Sequence, residues 1–392
     1  MPSSPSASQT SPGASVVGII GRIEAGGQDA EATDLLEAVR DSVRAFARNR
    51  TADLNEAGRR HEWQEIAAAG WTGLLADEAF GGSALSVEVM AALYEELGRG
   101  GVIEPYSAVT VLALVALDQC EPGGLRDSLL SGLSAGEFCP VLCWQDEPNR
   151  DERHLSFAAL PDDHDQPVSF SRCLIDLAAD ASHFCVPATR GGQVGLVVVP
   201  RDHVGISLDL IPGLSGRELG QLAFSGVLSA DAFLALPDPD ALAPAFVLAR
   251  IAAAAQLSGL CARINGMTIE YTGQRVQFGK PIAANQVVQH RLVDMWGEQT
   301  LAAAAVVRAA RACVEGRHAS ELASLAAKSR AGKASDVVTR GALQLHGAIG
   351  YTGEYPLGSL VRGCLALMNW LGTPNELRRR FVALERMDGT DR

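Results

Sequence analysis

The sequence predicts an α+β multidomain protein with an N-terminal helical domain, a central small antiparallel β-barrel and a C-terminal four-helix bundle. A chain of 392 residues is too long for one ordinary core. Aromatic residues make up only 5% of it, which favours close helix packing over an aromatic β core. The spacing of apolar residues also changes twice, near Gly136 and Ala241. The predicted sections are therefore a tail (1–30), a helical domain (31–136), a β domain (137–236) and a helical bundle (237–392).

The first two sections differ in composition. The start, MPSSPSASQTSPGAS, is rich in Ser and Pro and lacks a basic segment followed by an apolar one. It therefore predicts a disordered tail and not a signal peptide. The segments EATDLLEAVRDSVRAFARNR and LSVEVMAALYEELGRG carry apolar residues at helical spacing. The run VIEPYSAVTVLALVALDQC is almost wholly apolar, which predicts a helix buried on all sides.

The two remaining sections also have distinct patterns. Short β-branched or alternating runs such as FCPVLCW, GQVGLVVVP and ELGQLAFSGVLS are separated by Gly, Pro and Asp. This pattern is typical of a small antiparallel barrel or sandwich. From Ala241 the chain returns to long Ala-rich segments at helical spacing, joined by short links. Three such segments and a fourth near the C-terminus predict an up-down bundle.

Composition bounds the class of function. The net charge of −13 gives no electrostatic support for nucleic-acid binding. No apolar run is expected to reach the ~18 residues that span a bilayer, so no membrane span is predicted. The eight cysteines form no Cys-x-x-Cys pair and have no adjacent His cluster, so no metal site is expected. Buried free thiols in a reducing cytoplasm are the prediction for them.

The stretch Gly341–Arg380 has the most informative local pattern. It contains a Gln-x-x-Gly-Ala-x-Gly turn, Gln344–Gly350, and a later break at Trp370–Asn375. Glycine allows backbone to approach a ligand closely, and a helix that starts at such a loop presents free N–H groups to a phosphate. An ordinary helix–loop–helix connection is the alternative interpretation of the same residues.

Three motifs in order suggest a family. They are Phe80–Gly82 followed by Tyr94–Arg99, Arg275–Ile282 with Gln286 downstream, and Gln344–Gly350 followed by Gly372 and Thr373. Their order and spacing, over α, β and α sections of fitting length, resemble the acyl-CoA dehydrogenase family of flavoproteins across nearly the whole chain. The resemblance implies an FAD cofactor and a tetramer whose flavin sites need more than one subunit.

The resemblance also implies which residues bind FAD. In the family, the Arg of the second motif contacts the flavin pyrophosphate, and the Gln-x-x-Gly-Gly loop of a neighbouring subunit closes over the adenosine half. Arg275 can pair with a diphosphate through forked, charge-assisted hydrogen bonds. Ala348 replaces the commoner second glycine of that loop. The cofactor-binding candidates are Arg275, Gln277, Phe278, Gln286, Gln344, Gly347, Thr373 and Asn375.

The catalytic position departs from the family pattern. In the family, a Glu removes the α-proton of an acyl-CoA, and it occupies one of two sequence positions. Those positions hold Leu371 and Ala249 here, and neither side chain can accept a proton. Arg250 matches a family Arg, and on so apolar a helix it needs a partner or a cleft. An active-site role and a structural ion pair both remain open for it. Glu376 is expected to be a solvated charge, and Gln256 could hydrogen-bond but not act as a base.

The β section departs as well. The family's Thr-Glu-Pro followed by Gly-Ser-Asp is absent, and the nearest stretch is Cys143–Pro148. Its Lys-Trp beside the flavin corresponds here to Arg172 and Cys173. The nucleotide end of the cofactor site is thus expected to be better kept than the isoalloxazine end. For an unrecognised base, Asp146 and Glu147 are the first candidates.

Four functional interpretations follow from the resemblance. One is an FAD-binding protein that acts on an acyl-CoA or acyl-carrier thioester with non-standard chemistry. The second is one chain of a heteromeric dehydrogenase, as in bacterial steroid degradation, whose partner supplies the Glu. The third is a structural homologue without flavin, and the fourth is an acyl-CoA dehydrogenase with an unrecognised base. Expected partners are a homotetramer or a heterotetramer with a second family member, and electron-transfer flavoprotein.

Overall fold

The computed structural model describes residues 30–49, 56–148, 151–163, 165–353 and 355–389. The predicted tail lies outside this range except for Ala30, where the first helix begins. Helical, β and helical sections follow one another in the predicted order, so the predicted fold class is confirmed.

The first section is helical. Its helices are α1 (Ala30–Asn49), α2 (Glu56–Ala68), α3 (Val87–Arg99), α4 (Leu114–Asp118) and α5 (Gly124–Ser134), and a π-helical turn, Ala108–Ala113, leads into α4. The π-helical turn and residues 114–117 of α4 are buried, as the apolar run predicted. At the start of α3, the Ser86 side chain accepts a hydrogen bond from the Val89 N–H at 3.4 Å, which satisfies a free helix-end donor.

The central section contains two sheets. Its strands are β1 (Pro140–Leu142), β2 (Ala158–Leu160), β3 (Val168–Ile175), β4 (His183–Arg190), β5 (Gln193–Pro200), β6 (Ile206–Pro212), β7 (Glu218–Gly226) and β8 (Phe233–Ala235). One sheet has the order β1-β4-β5-β8, with β2 also paired to β4, and the other has the order β3-β7-β6.

The prediction of a purely antiparallel barrel needs a correction. Both β1 and β2 pair with β4 in parallel, and the strands divide between two sheets. Parallel neighbours need long connections, and the chain between β1 and β4 is long enough to return to the same end of the sheet. The remaining pairs in these sheets are antiparallel.

The last section is a helical bundle. It consists of α6 (Ala243–Gln274), α7 (Gln286–Ala312), α8 (Arg317–His346), α9 (Leu357–Asn369) and α10 (Pro374–Gly389), with a short hairpin of β9 (Val276–Gln277) and β10 (Lys280–Pro281) between α6 and α7. The three long helices match the prediction, and the fourth is divided into α9 and α10. Leu371 and Gly372 both have left-handed backbone, with φ of 57° and 101°, so the helix stops there.

Helix α6 is long and apolar enough to cross a membrane, contrary to the expectation that no segment qualifies. However, 94% of its most apolar stretch is buried inside the protein. It packs against α3, α7 and α8, so it is the core helix of the bundle. Its apolar character comes largely from small alanines, which permit this close packing.

Two glycines set the crossing of α3 and α6. A Cβ on Gly98 would lie 2.2 Å from the Gln256 carbonyl oxygen, and a Cβ on Gly259 would lie 1.9 Å from the Glu95 carbonyl oxygen. These atoms belong to the backbone of a helix, which cannot move aside for an added Cβ as the end of a flexible side chain can. The helices therefore touch backbone to backbone, and only glycine fits at this contact.

Replacing Gly259 with alanine is expected to lower the free energy of unfolding by roughly 1–3 kcal/mol, since overpacking forces the two helices apart. Gly266 on the same helix is the matched control, because nothing lies within 4 Å of a Cβ there. There, alanine should raise the free energy of unfolding by about 0.5–1 kcal/mol through helix propensity. Urea denaturation measures both effects. Equal effects of the two substitutions would contradict the close backbone contact.

Candidate functional site

A cavity of about 850 Å³ lies where the β section meets the bundle and the segment after α3. This volume is within the usual range for small-molecule sites. The β side contributes polar and aromatic residues, and α9, α10 and the loop between them contribute the facing side. The residues that line the cavity include Trp144, Gln145, Asp151, Glu152, Arg153, Leu174, Asp176, Trp370, Leu371, Thr373, Glu376 and Arg380.

The loop between α9 and α10 forms part of the cavity wall. Leu371 lines the cavity and is only 3% exposed. Next to it, the Thr373 N–H and hydroxyl both donate to Glu376 Oε2, at 2.8 and 2.7 Å. These bonds lower the pKa of Glu376 and cap the start of α10. Glu376 is exposed, as predicted. Its carboxylate also accepts the hydrogen bonds that cap α10.

Arg250 forms a buried ion-pair cluster. Its Nη1 donates to Glu152 Oε1 at 2.6 Å, and its Nη2 donates to Glu321 Oε2 at 2.6 Å. Arg380 binds the same two carboxylates from α10. Arg250 is 1% exposed and does not line the cavity. Of the two roles left open for Arg250, the structural ion pair is therefore the one observed, and it lies within one chain.

Lys328 is a second buried cation near this cluster. It is fully buried on α8, and its Nζ donates to the Met368 carbonyl oxygen at 3.1 Å. Burial and the neighbouring Arg250 lower the pKa of Lys328 to about 7, against an opposing effect of Glu152. Sequence reasoning missed it, although a lysine among small residues in ASLAAKSRAGKAS was an available signal.

Asp176 is a cavity carboxylate that sequence reasoning also missed. It follows β3 and lines the cavity together with Trp370, whose side chain acts on it as a hydrogen-bond donor. Burial raises the pKa of Asp176 to about 7, while Arg217 and the bond from Trp370 oppose the shift. The signal in the sequence is an acid directly after an apolar strand, in CLIDLAAD.

One of the two predicted base positions lies on the cavity wall, and the other does not. Leu371 faces the cavity, whereas Ala249 is fully buried and does not line it. Asp146 and Glu147 are not among the lining residues either, although Gln145 beside them is. Gln256 donates to the carbonyl oxygens of Val102 and Glu104, both at 3.0 Å, so it joins α6 to the segment after α3.

Arg172 holds the β section together. Its buried guanidinium donates to carbonyl oxygens on four residues around it, those of Cys143, Ser156, Ser171 and Pro187. It does not line the cavity, whereas Trp144 does. The eight cysteines are free and, apart from the half-buried Cys173, buried, as expected. Within the described residues, no group of three potential ligands could hold a metal ion.

Most predicted cofactor residues lie together at one end of the bundle. Arg275, Gln277 and Phe278 follow α6 at the hairpin, and Gln286 opens α7; all four are exposed. Gln344 and Gly347 lie exposed at the end of α8. The two helix ends are joined, because the Tyr271 ring stacks on His346 at 4.4 Å and its hydroxyl donates to the His346 carbonyl oxygen at 3.3 Å. We call this set of exposed residues the hairpin surface.

Two predicted residues lie elsewhere. Thr373 lines the cavity, and Asn375 is exposed on α10, where it accepts a hydrogen bond from Arg378 at 2.8 Å. The predicted cofactor residues thus fall into two groups, one at the hairpin surface and one beside the cavity.

The hairpin surface carries an exposed cation and a glycine with open space around it. The Arg275 guanidinium is exposed and makes no ion pair within the described part of the chain. Gly347 has a left-handed φ of 64°, and no atom lies within 4 Å of where its Cβ would be. The Gly347 N–H itself donates to the Leu343 carbonyl oxygen at the end of α8, so a diphosphate would be held here by the guanidinium, a donor that phosphate oxygens prefer.

Comparison with known proteins identifies two family models. Residues 33–128 match the acyl-CoA dehydrogenase N-terminal domain, and residues 241–385 match the C-terminal domain. An acyl-CoA dehydrogenase of Bacillus subtilis (strain 168) is 32% identical over 181 residues, which is 45% of this chain and 47% of that protein. The alignment thus spans about half the length of that relative.

Longer matches extend over nearly the whole chain. The probable acyl-CoA dehydrogenase YngJ of Bacillus subtilis (strain 168) is 26% identical over 384 residues, which is 90% of this chain and 98% of that protein. The solved structure of the Tcur3481-Tcur3483 steroid ACAD has a TM-score of 0.79 and 26% identity, covering 92% of this chain and 99% of that one.

The chain belongs to the acyl-CoA dehydrogenase family. Both matched domains, the order of the three sections and the similarity over the full length agree on this. The family consists of FAD flavoproteins, and its kind of enzyme is an oxidoreductase.

Proposed function

We propose that this protein binds FAD and an acyl thioester, carried by CoA or a carrier protein, and does not perform the standard dehydrogenation alone. The observation that supports this most is Leu371, an aliphatic side chain on the wall of a cavity large enough for a ligand. Bound FAD would supply hydride acceptance. The chain's residues would hold the cofactor and orient the thioester.

Two surfaces would share the cofactor. Arg275, Gln277, Phe278, Gln286, Gln344 and Gly347 would hold the diphosphate and adenosine half at the hairpin surface. Thr373 and Asn375 would contact the part of the cofactor nearer the cavity. Trp144 and Gln145 give the cavity an aromatic face and an amide beside it.

Replacing Arg275 with alanine is expected to weaken FAD binding about 10- to 100-fold, since charge-assisted hydrogen bonds contribute about 1.5–3 kcal/mol. Arg263→Ala is the matched control. Arg263 is an exposed arginine within α6, 12 positions before Arg275 and away from the hairpin. Fluorescence titration of dialysed protein with FAD measures the dissociation constants. Native protein that never takes up FAD would refute the proposed function.

A heteromeric dehydrogenase is the second candidate. Apolar residues are exposed on α7 and at the hairpin, namely Val276, Phe278, Val293, Trp296 and Val307, and such surfaces mark assembly sites. A related solved structure, 26% identical, is described as the steroid ACAD pair Tcur3481-Tcur3483. In this version, a second family member completes the tetramer and supplies the Glu.

The homotetramer and the heteromer differ in whether the assembly contains a second kind of chain. Native mass spectrometry of the chain expressed with and without a Glu-containing homologue would distinguish them. In both versions, electron-transfer flavoprotein would be the electron acceptor, and the location would be the cytoplasm. A colourless scaffold is the remaining alternative, which the FAD titration also tests.

A further inference from the structure

Among the described residues, four carboxylates line the cavity, and three of them are already committed to a partner. Asp151 forms an ion pair with Arg153, whose Nη2 donates to Asp151 Oδ2 at 2.5 Å. Burial alone would raise the pKa of Asp151, but the bonds from Arg153 outweigh it and lower this pKa to about 2. Glu152 lies between Arg250 and Arg380. Glu376 accepts both bonds from Thr373, so none of these three is ready to accept a proton.

Asp176 differs from the other three. It forms no ion pair within the described part of the chain, and its hydrogen-bond partner is the Trp370 side chain, next to Leu371. The cation that acts on it is Arg217, which is itself paired with Glu104 at 2.6 Å. The Asp176 carboxyl therefore faces the cavity without an ion pair to a cation in the described part of the chain.

The backbone around Asp176 is unusual. Leu174 and Leu177 on either side of it have φ of 53° and 56°, and Leu371 beside Trp370 has φ of 57°. The pairing of β3 with β7 also shifts register between Arg172 and Ile175. Left-handed backbone is disfavoured for leucine, and such strain concentrates at functional sites. Two of these strained leucines flank Asp176 in sequence, and the third lies on the same cavity wall as Trp370.

We propose that Asp176 is the acid–base residue of this cavity and exchanges the α-proton of the bound thioester with solvent. This inference rests on the proposed function. The Asp176 carboxylate takes the proton from Cα, so a C–H bond breaks and an O–H bond forms. The electron pair moves into the thioester carbonyl as an enolate, and the reverse step returns a proton or deuteron. The exchange needs no oxidant.

The surroundings favour this role. A base is most effective when its pKa lies near the working pH, and burial raises the pKa of Asp176 towards neutrality. A glutamate at position 371 would reach the same cavity, because Leu371 is itself part of the cavity wall. Leu371, at the family's usual base position, cannot accept a proton. Asp176 is a carboxylate in the same cavity that can.

Deuterium incorporation at Cα of a saturated acyl-CoA tests this. FAD-loaded protein is incubated with butyryl-CoA in heavy water, and the thioester is analysed by mass spectrometry. Native protein should incorporate deuterium, faster as the pH rises through about 7. Asp176→Asn should reduce the rate at least ~100-fold, and Asp176→Glu should restore part of the rate together with its rise with pH. Asp180→Asn, the same change in the same loop, should have no effect, because Asp180 pairs with Arg59 outside the cavity.

Calorimetric titration with butyryl-CoA separates the two ways of failing. If native protein binds the thioester and Asp176→Asn exchanges as fast as native, the role of Asp176 is refuted and the proposed function stands. If native protein binds but exchanges nothing, the same conclusion holds. If native protein binds no acyl-CoA, the proposed function is refuted and the role of Asp176 falls with it. Asn is isosteric with a protonated Asp, so the variant is expected to fold.

Discussion

Replacing Leu371 with glutamate is expected to accelerate flavin reduction by saturated acyl-CoA at least ~100-fold over the native chain. Leu371 lines the cavity and is 3% exposed, so a carboxylate there would lie within reach of a bound ligand. Poor solvation at this site should raise the pKa of the new carboxyl, which strengthens it as a base. Leu371 already has a left-handed φ of 57°, and neither leucine nor glutamate is branched at Cβ, so the substitution adds no crowding of the backbone.

Anaerobic stopped-flow spectroscopy of the FAD-loaded variants measures this change. Leu371→Gln is the matched control, because it has the same shape as glutamate and cannot accept the proton. Thermal unfolding and FAD titration of both variants establish that fold and cofactor binding persist. If Leu371→Glu binds FAD and butyryl-CoA but stays as slow as Leu371→Gln, the cavity does not place the thioester at this residue.

Replacing Arg250 with alanine is expected to lower the free energy of unfolding by about 3–5 kcal/mol. Arg250 is 1% exposed and donates to Glu152, Glu321 and Ser324. Its loss leaves two carboxylates to the single guanidinium of Arg380 in a place with little solvent. A buried charge without its partner costs far more than an exposed one, since no water replaces the lost bonds.

The exposed pair of Arg308 and Glu315 is the control for this change. Their side chains are 57% and 46% exposed, and Arg308 Nη2 lies 2.8 Å from Glu315 Oε2. Arg308→Ala should cost at most about 1 kcal/mol, since water screens the pair and replaces its bonds. Denaturant unfolding, with FAD removed from all samples, gives both values. Equal losses at the two arginines would contradict the structural role of the buried cluster.

The fold was predictable because local patterns determine most of it. Apolar spacing marks the helical sections, and short β-branched runs mark the strands. The division of the fourth bundle helix followed from Gly372, which lies in the loop after α9, and from Pro374, the first residue of α10. The two parallel pairings with β4 escaped prediction because they depend on how long connections cross the β section.

The candidate site was predictable only in part. Leu371 and Thr373 were found through motif positions, and both line the cavity. The partners of Arg250 could not be predicted, because Glu152 is 98 positions away in sequence and reaches it only through the fold. Asp176 escaped for a related reason, since its raised pKa arises from burial and not from its neighbours in sequence. The base candidates Asp146 and Glu147 lie a few residues before Asp151 and Glu152, two of the four carboxylates that line the cavity.

Anaerobic mixing of the native, FAD-loaded chain with a series of saturated acyl-CoAs tests whether this protein lacks the family's standard reaction. The readout is the visible absorbance of the bound flavin. We expect the flavin to stay oxidised with every chain length, because Leu371 and Ala249 occupy the two positions at which the family carries its glutamate. Rapid bleaching of the flavin by any saturated acyl-CoA would contradict this, because it would show that proton removal, at Asp176 or elsewhere, is coupled to hydride transfer without a glutamate at either position.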